Sequence, residues 1–126
     1  VIKALVNQLK LPIKIIGCPI IRENNGLAMS SRNERLTEVE FNAASNINKA
    51  LTFVRHNKNK LSIAELKSFY ADLLSKNKLL TIEYFEIADG NTLNPIKEWS
   101  EADYCIALTS VNVGSVRLID NMTIIN

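Results

Sequence analysis

Apolar residues stand at Ile2, Leu5, Val6 and Leu9, the i, i+3, i+4, i+7 spacing of a helix stripe. That spacing predicts a helix over Val1–Leu11, which Pro12 ends. Ile13 to Ile21 is a near-continuous apolar, β-branched run, the pattern of a strand buried on both faces of a parallel sheet. Pro19 cannot donate to a ladder, so such a strand should finish near it. Helix period returns after Thr37. Thr37 and Glu40 have capping-box spacing, and Phe41, Ala44, Ile47, Leu51 and Val54 form one apolar face. Ser62 and Glu65 open a second such helix, with Leu66, Phe69, Tyr70, Leu73 and Leu74 as its stripe. Thr81–Asp89 and Tyr104–Val113 read as strands. Gly114-Ser115 is a hairpin turn, and Val116–Ile119 returns, with Asp120-Asn121 breaking the strand. Two helices followed by three strands joined in this way predict an α+β domain with an antiparallel three-stranded sheet.

Between these regular stretches lies Arg22–Asn33, which has turn residues but little periodicity. Asn25-Gly26 is a strong turn signal. After it come Leu27, Ala28, Met29, Ser30, Ser31, Arg32 and Asn33. Two adjacent hydroxyls and a guanidinium behind a glycine turn are the parts of a phosphate cradle. The same residues also suit a solvated turn in front of a helix, and chemistry alone leaves both readings open.

Composition narrows the setting. The chain has 126 residues, 47% of them hydrophobic, which is enough for one core and excludes a disordered chain. Net charge is +2 with both signs interspersed, which argues against nucleic acid or an anionic membrane as partner. Arg55, Lys58 and Lys60 form the one basic cluster, and with His56 they read as the basic close of a helix. Cys18 and Cys105 both lie in apolar runs, so two buried free thiols are expected and no disulfide framework, as in a reducing cytoplasm. No apolar run approaches the ~20 residues of a membrane helix. Val1 is not an initiator Met and falls inside an expected helix, so the expectation is a piece of a longer protein.

The string Gly26–Asn33 (GLAMSSRN), preceded by Pro19-Ile20-Ile21-Arg22-Glu23, resembles the signature of pantothenate synthetases. Arg117–Asn121 (RLIDN) after a glycine turn, Tyr84–Asp89 and Asn91-Thr92-Leu93 resemble the same family's C-terminal domain, in the family's order. The resemblance implies a ligase that condenses pantoate with β-alanine through a pantoyl adenylate, releasing pyrophosphate and AMP. The resemblance also implies ATP with magnesium as the nucleotide substrate. It implies residues 1–20 as the terminal helix and strand of a Rossmann-like domain, and 21–126 as a C-terminal lid that closes over ATP. By the same resemblance Ser30, Ser31 and Arg32 contact the phosphates, with Arg32 in the catalytic role. Cys18, Pro19, Ile21 and Met29 then line the nucleotide pocket. Arg22 and Arg117 are expected as braces, and Asp120 as the partner that fixes a turn or an arginine. The family suggests a homodimer.

The chain also departs from the family. Asn25, Cys18 and Arg35 replace an acidic residue, a valine and an aromatic common there. The family's His-x-Gly-His motif does not occur, and the only histidine, His56, matches no catalytic position. Without that half this chain alone is expected not to turn over. Trp99 is expected to anchor its loop. A non-catalytic α+β interaction or regulatory module is the competing reading. An RNA-binding domain would need exposed aromatic residues on strands beside a basic face, which the nearly balanced charge disfavours.

Overall fold

The computed structural model describes residues 2–125; Val1, the first residue of the expected N-terminal helix, lies outside them. Helix α1 covers Ile2–Gln8. It ends before Leu11 because Lys10 turns left-handed (φ 50°) and the Leu11 N–H returns to the Val6 carbonyl. Helix α2 is Glu38–Asn57 and α3 is Ile63–Ser75. Both start at the capping boxes read from the sequence. Thr37 Oγ1 accepts from the Glu40 N–H while Glu40 accepts from the Thr37 N–H, and Ser62 and Glu65 repeat the pattern. These bonds hold both glutamate carboxyls below the usual range.

The sheet contains β1 (Leu80–Asp89), β2 (Cys105–Val113) and β3 (Val116–Ile125) in that order, antiparallel throughout. Helices α2 and α3 cover one face, α2 over β3 and α3 over β1. Ala44, Ile47, Leu51 and Val54 of α2 and Leu66, Tyr70 and Leu74 of α3 are sealed against Ile87, Ala107, Val111 and Leu118. The outer flank of the α3 stripe differs: Phe69 is 40% exposed, stacked on Phe53 instead of entering the core. Tyr70 is fully sealed and stacked on Phe85. Thr109 Oγ1 donates to the Tyr84 carbonyl, so the Tyr70 hydroxyl donates to Thr109. Burial pushes the Tyr70 phenol up and keeps it neutral. Trp99 Nε1 donates to the Leu61 carbonyl, anchoring its loop as expected.

Two expectations fail here. Asp120-Asn121 does not end β3, which continues to Ile125. Asp120 faces inward, 7% exposed, because Arg22 supplies its counter-charge. Residues 13–21 form no strand. Ile13, Ile16, Ile20 and Ile21 are exposed, since among the described residues no strand lies beside them to complete a ladder.

The β2–β3 turn sits against the start of α2. Gly114 has φ 55°, and a Cβ there would collide with Glu40 Oε1. Gly114→Ala therefore both strains the turn and displaces the capping carboxylate. It is expected to cost about 2 kcal/mol, read as a lowered denaturation midpoint. A loss no larger than that of Ser115→Ala would refute the coupling.

Candidate functional site

Residues 21–29 form a narrow two-legged ribbon. The Met29 N–H donates to the Ile21 carbonyl (3.0 Å) and the Glu23 N–H to the Leu27 carbonyl (2.8 Å), with Arg22 and Ala28 bridged between them. Its tip turns at Gly26, φ 88°, where a Cβ would lie 2.5 Å from Asn48 Nδ2. Asn25 Oδ1 accepts from the Leu27 N–H, and its amide donates to the Phe41 carbonyl, tying the tip to α2. Leu27, 3% exposed, plugs the ribbon into the core. Arg22 fixes the other leg. Its guanidinium grips both Asp120 carboxylate oxygens at 2.7 and 3.0 Å and donates to the Gly26 carbonyl at 3.0 Å. Arg22 is thus the ion-paired carbonyl brace expected from the sequence, with Asp120 as its partner.

The ribbon delivers the chain into a 3-10 turn, Ser31–Arg35. Ser30 caps it: its backbone is extended and its Oγ accepts from the Arg32 N–H at 3.2 Å. With that oxygen engaged as an acceptor, the hydroxyl proton is left to donate outward. Ser31 and Arg32 are exposed, and among the described residues the Arg32 guanidinium makes no hydrogen bond or ion pair. Met29 is 57% exposed beside them.

A cleft of about 230 Å³ opens between this loop and β3, lined on the loop side by Met29, Ser30, Arg32 and Asn33, and on the strand side by Arg117 and Ile119. Arg117 is held by Glu83, the residue at the β1 bulge, whose carboxyl also accepts from Ser110 Oγ. The Arg117 hydrogen bonds keep the Glu83 carboxyl low. Arg117 is thus the expected ion-pair brace and also a wall of the cleft.

The structure brings together Met29, Ser30, Ser31 and Arg32, and backbone pairing sets Ile21 beside Met29. It does not gather all the residues expected to line one pocket. Cys18 and Pro19 border a separate cleft with Arg22, Arg55 and Met122. Cys18 is also exposed, not buried as expected, because its segment lies outside any sheet; Cys105 is buried, and burial raises its thiol. His56 and Arg35 are exposed. Asn33 was missed by sequence reasoning. It is 8% exposed, and its amide donates to Glu23 Oε1 (3.2 Å) and the Ala28 carbonyl (3.1 Å). Its Oδ1 is buried with no partner among the described residues. An orphaned acceptor of that kind costs about 1–3 kcal/mol. Its place at the end of the serine–arginine string was the available signal.

Fold and loop together define a small α+β domain that carries hydroxyls and a free guanidinium at one edge of its sheet. The family model described as pantoate-beta-alanine ligase matches residues 1–123. The pantothenate synthetase of Phocaeicola vulgatus is 42% identical over 127 residues, covering 97% of this chain and 44% of that protein. The pantothenate synthetase of Azobacteroides pseudotrichonymphae is 44% identical over 123 residues, covering 98% and 44%. Among solved structures, a pantothenate synthetase from Thermus thermophilus superposes with a TM-score of 0.91 at 27% identity, over 99% of this chain and 45% of that one. The pantoate-beta-alanine ligase from Francisella tularensis, complexed with beta-gamma ATP and beta-alanine, gives 0.61 at 27% identity, over 97% and 38%. The chain belongs to the pantoate–β-alanine ligase family. It spans less than half the length of the relatives it matches.

Proposed function

We propose that this chain is the nucleotide-clamping part of a pantoate–β-alanine ligase, residues 21–126 acting as the lid. The observation that carries the reading is the Ser30-Ser31-Arg32 loop. It is braced on both legs, yet it presents a hydroxyl proton and an unengaged guanidinium to a cleft, in a chain whose family match runs from residue 1 to 123. In this reading the pantoate carboxylate attacks the α-phosphorus of ATP and pyrophosphate leaves. The β-alanine amine then attacks the acyl carbon and AMP leaves. Negative charge grows on the departing pyrophosphate, and fixed donors aimed at that charge stabilise the transition state. Arg32 supplies a forked cation, Ser30 and Ser31 supply hydroxyl donors, and Met29 and Ile21 flank the nucleotide. Cys18 and Pro19 border the neighbouring cleft.

Magnesium enters as part of the ATP substrate. Among the described residues no three His, Cys, Asp or Glu side chains cluster to hold an ion. Magnesium is commonly bound through phosphate oxygens and water with few protein ligands, and that is the arrangement this reading assigns. Positioning of both substrates supplies much of such a rate, so this chain alone is expected to be inactive.

The test is pyrophosphate release dependent on both ATP and pantoate, from protein expressed from its complete reading frame, with the 126-residue chain alongside. Release by the former alone supports the reading. No release from either would leave an α+β binding module that kept the loop without the reaction.

A further inference from the structure

Asn33 combines three features that do not occur together elsewhere in the described residues. It is a buried polar side chain, it lines the loop cleft, and it has an acceptor oxygen without a partner. Its orientation is fixed by what surrounds it. Both amide protons face acceptors, Glu23 Oε1 and the Ala28 carbonyl, so rotating the amide by half a turn would set oxygen against oxygen. The side chain is therefore placed by its two donors and not by its own full satisfaction. Those donors tie the 3-10 turn that carries Arg32 to both legs of the ribbon. Glu23 is on the incoming leg and Ala28 on the outgoing one. The Asn33 backbone N–H closes the arrangement by donating to the Ser30 carbonyl at 2.9 Å.

We infer that Asn33, acting with Glu23, is the positioning residue that holds Ser30, Ser31 and Arg32 in register for the departing phosphates. The inference rests on the ligase reading above. It predicts a role confined to the adenylate-forming half of the reaction, since the second half has no polyphosphate to meet.

The experiment uses protein from the complete reading frame and follows the half-reactions separately. One is pyrophosphate release from ATP and pantoate. The other is AMP release from supplied pantoyl adenylate and β-alanine. Asn33→Asp keeps the side chain's shape but turns a double donor into an acceptor facing two oxygens. It should slow the first half-reaction roughly 10- to 100-fold, the scale of a small misplacement of catalytic groups. The second should stay within about twofold of the parent. Glu23→Ala, which removes one acceptor from the more accessible side, should lower the same half-reaction if the Asn33 variant fails to fold. Adding Glu23→Gln to Asn33→Asp restores one bond with donor and acceptor exchanged, and should recover several-fold of the lost rate. Parent-like rates in Asn33→Asp, or an equal fall in both half-reactions, would overturn the inference. If the parent protein itself releases no pyrophosphate, the ligase reading fails and this inference goes with it.

Discussion

Arg32→Ala, in protein from the complete reading frame, should slow pantoate-dependent pyrophosphate release roughly 100- to 1000-fold. The affinity for ATP should fall much less. The expectation follows from what Arg32 does and does not hold in place. Its side chain is exposed and unengaged among the described residues. Its backbone N–H serves the cap to Ser30 Oγ, and alanine keeps the backbone bonds of the turn. The substitution therefore removes a guanidinium without disturbing the turn or the core, and a loss of rate cannot be assigned to unfolding. Single-turnover release separates the chemical step from binding. A fall in rate at saturating ATP places the guanidinium's action in the transition state, whereas a fall in affinity alone would make it a ground-state contact. Arg32→Lys adds a finer test. It keeps the charge but loses the planar fork that meets two phosphate oxygens at once. A partial loss, between parent and alanine, is expected. Unchanged release in Arg32→Ala would remove Arg32 from the clamp.

The parts of this molecule legible in the sequence are those fixed by neighbours a few residues away. Thr37 with Glu40 and Ser62 with Glu65 place both helix starts because a capping box is complete within one turn. The hairpin was equally local, and Gly114 does take positive φ. What failed depended on distant partners. Asp120-Asn121 looked like a strand break because an aspartate is costly inside a sheet. The charge that makes it tolerable belongs to Arg22, 98 residues earlier in the chain. Ile13–Ile21 has the composition of a buried strand, but a strand exists only beside another, and none lies there among the described residues. The site divides in the same way. Met29, Ser30 and Arg32 lie close in sequence and border one cleft. Cys18 and Pro19 were joined to them by resemblance, and the ribbon's fold puts them on another cleft. Asn33 escaped notice because asparagine in a turn is ordinary. Its burial and its bond to Glu23 are visible only once the ribbon is folded.

Arg22→Ala should cost this chain about 3 kcal/mol, measured by denaturant unfolding. The size comes from the partner left behind. The Asp120 side chain is only 2% exposed, while that of Arg22 is 23% exposed, so removing the arginine strands a carboxylate that water barely reaches. The Asn121 N–H would still donate to Asp120 Oδ1, which offsets only part of the lost charge pairing. Adding Asp120→Asn to Arg22→Ala makes the buried group neutral. The double variant should therefore be more stable than Arg22→Ala alone, the non-additivity that marks a coupled pair. If Arg22→Ala costs less than about 1 kcal/mol, the pair behaves as an exposed one and the argument from burial fails. The same arginine also donates to the Gly26 carbonyl at the tip of the ribbon. Its loss frees the incoming leg and the tip of the ribbon that carries Ser30, as well as weakening β3. In the complete protein, pyrophosphate release by Arg22→Ala should then drop further than its folded fraction explains. That surplus is the share of the ion pair that serves the loop, apart from the share that serves the fold.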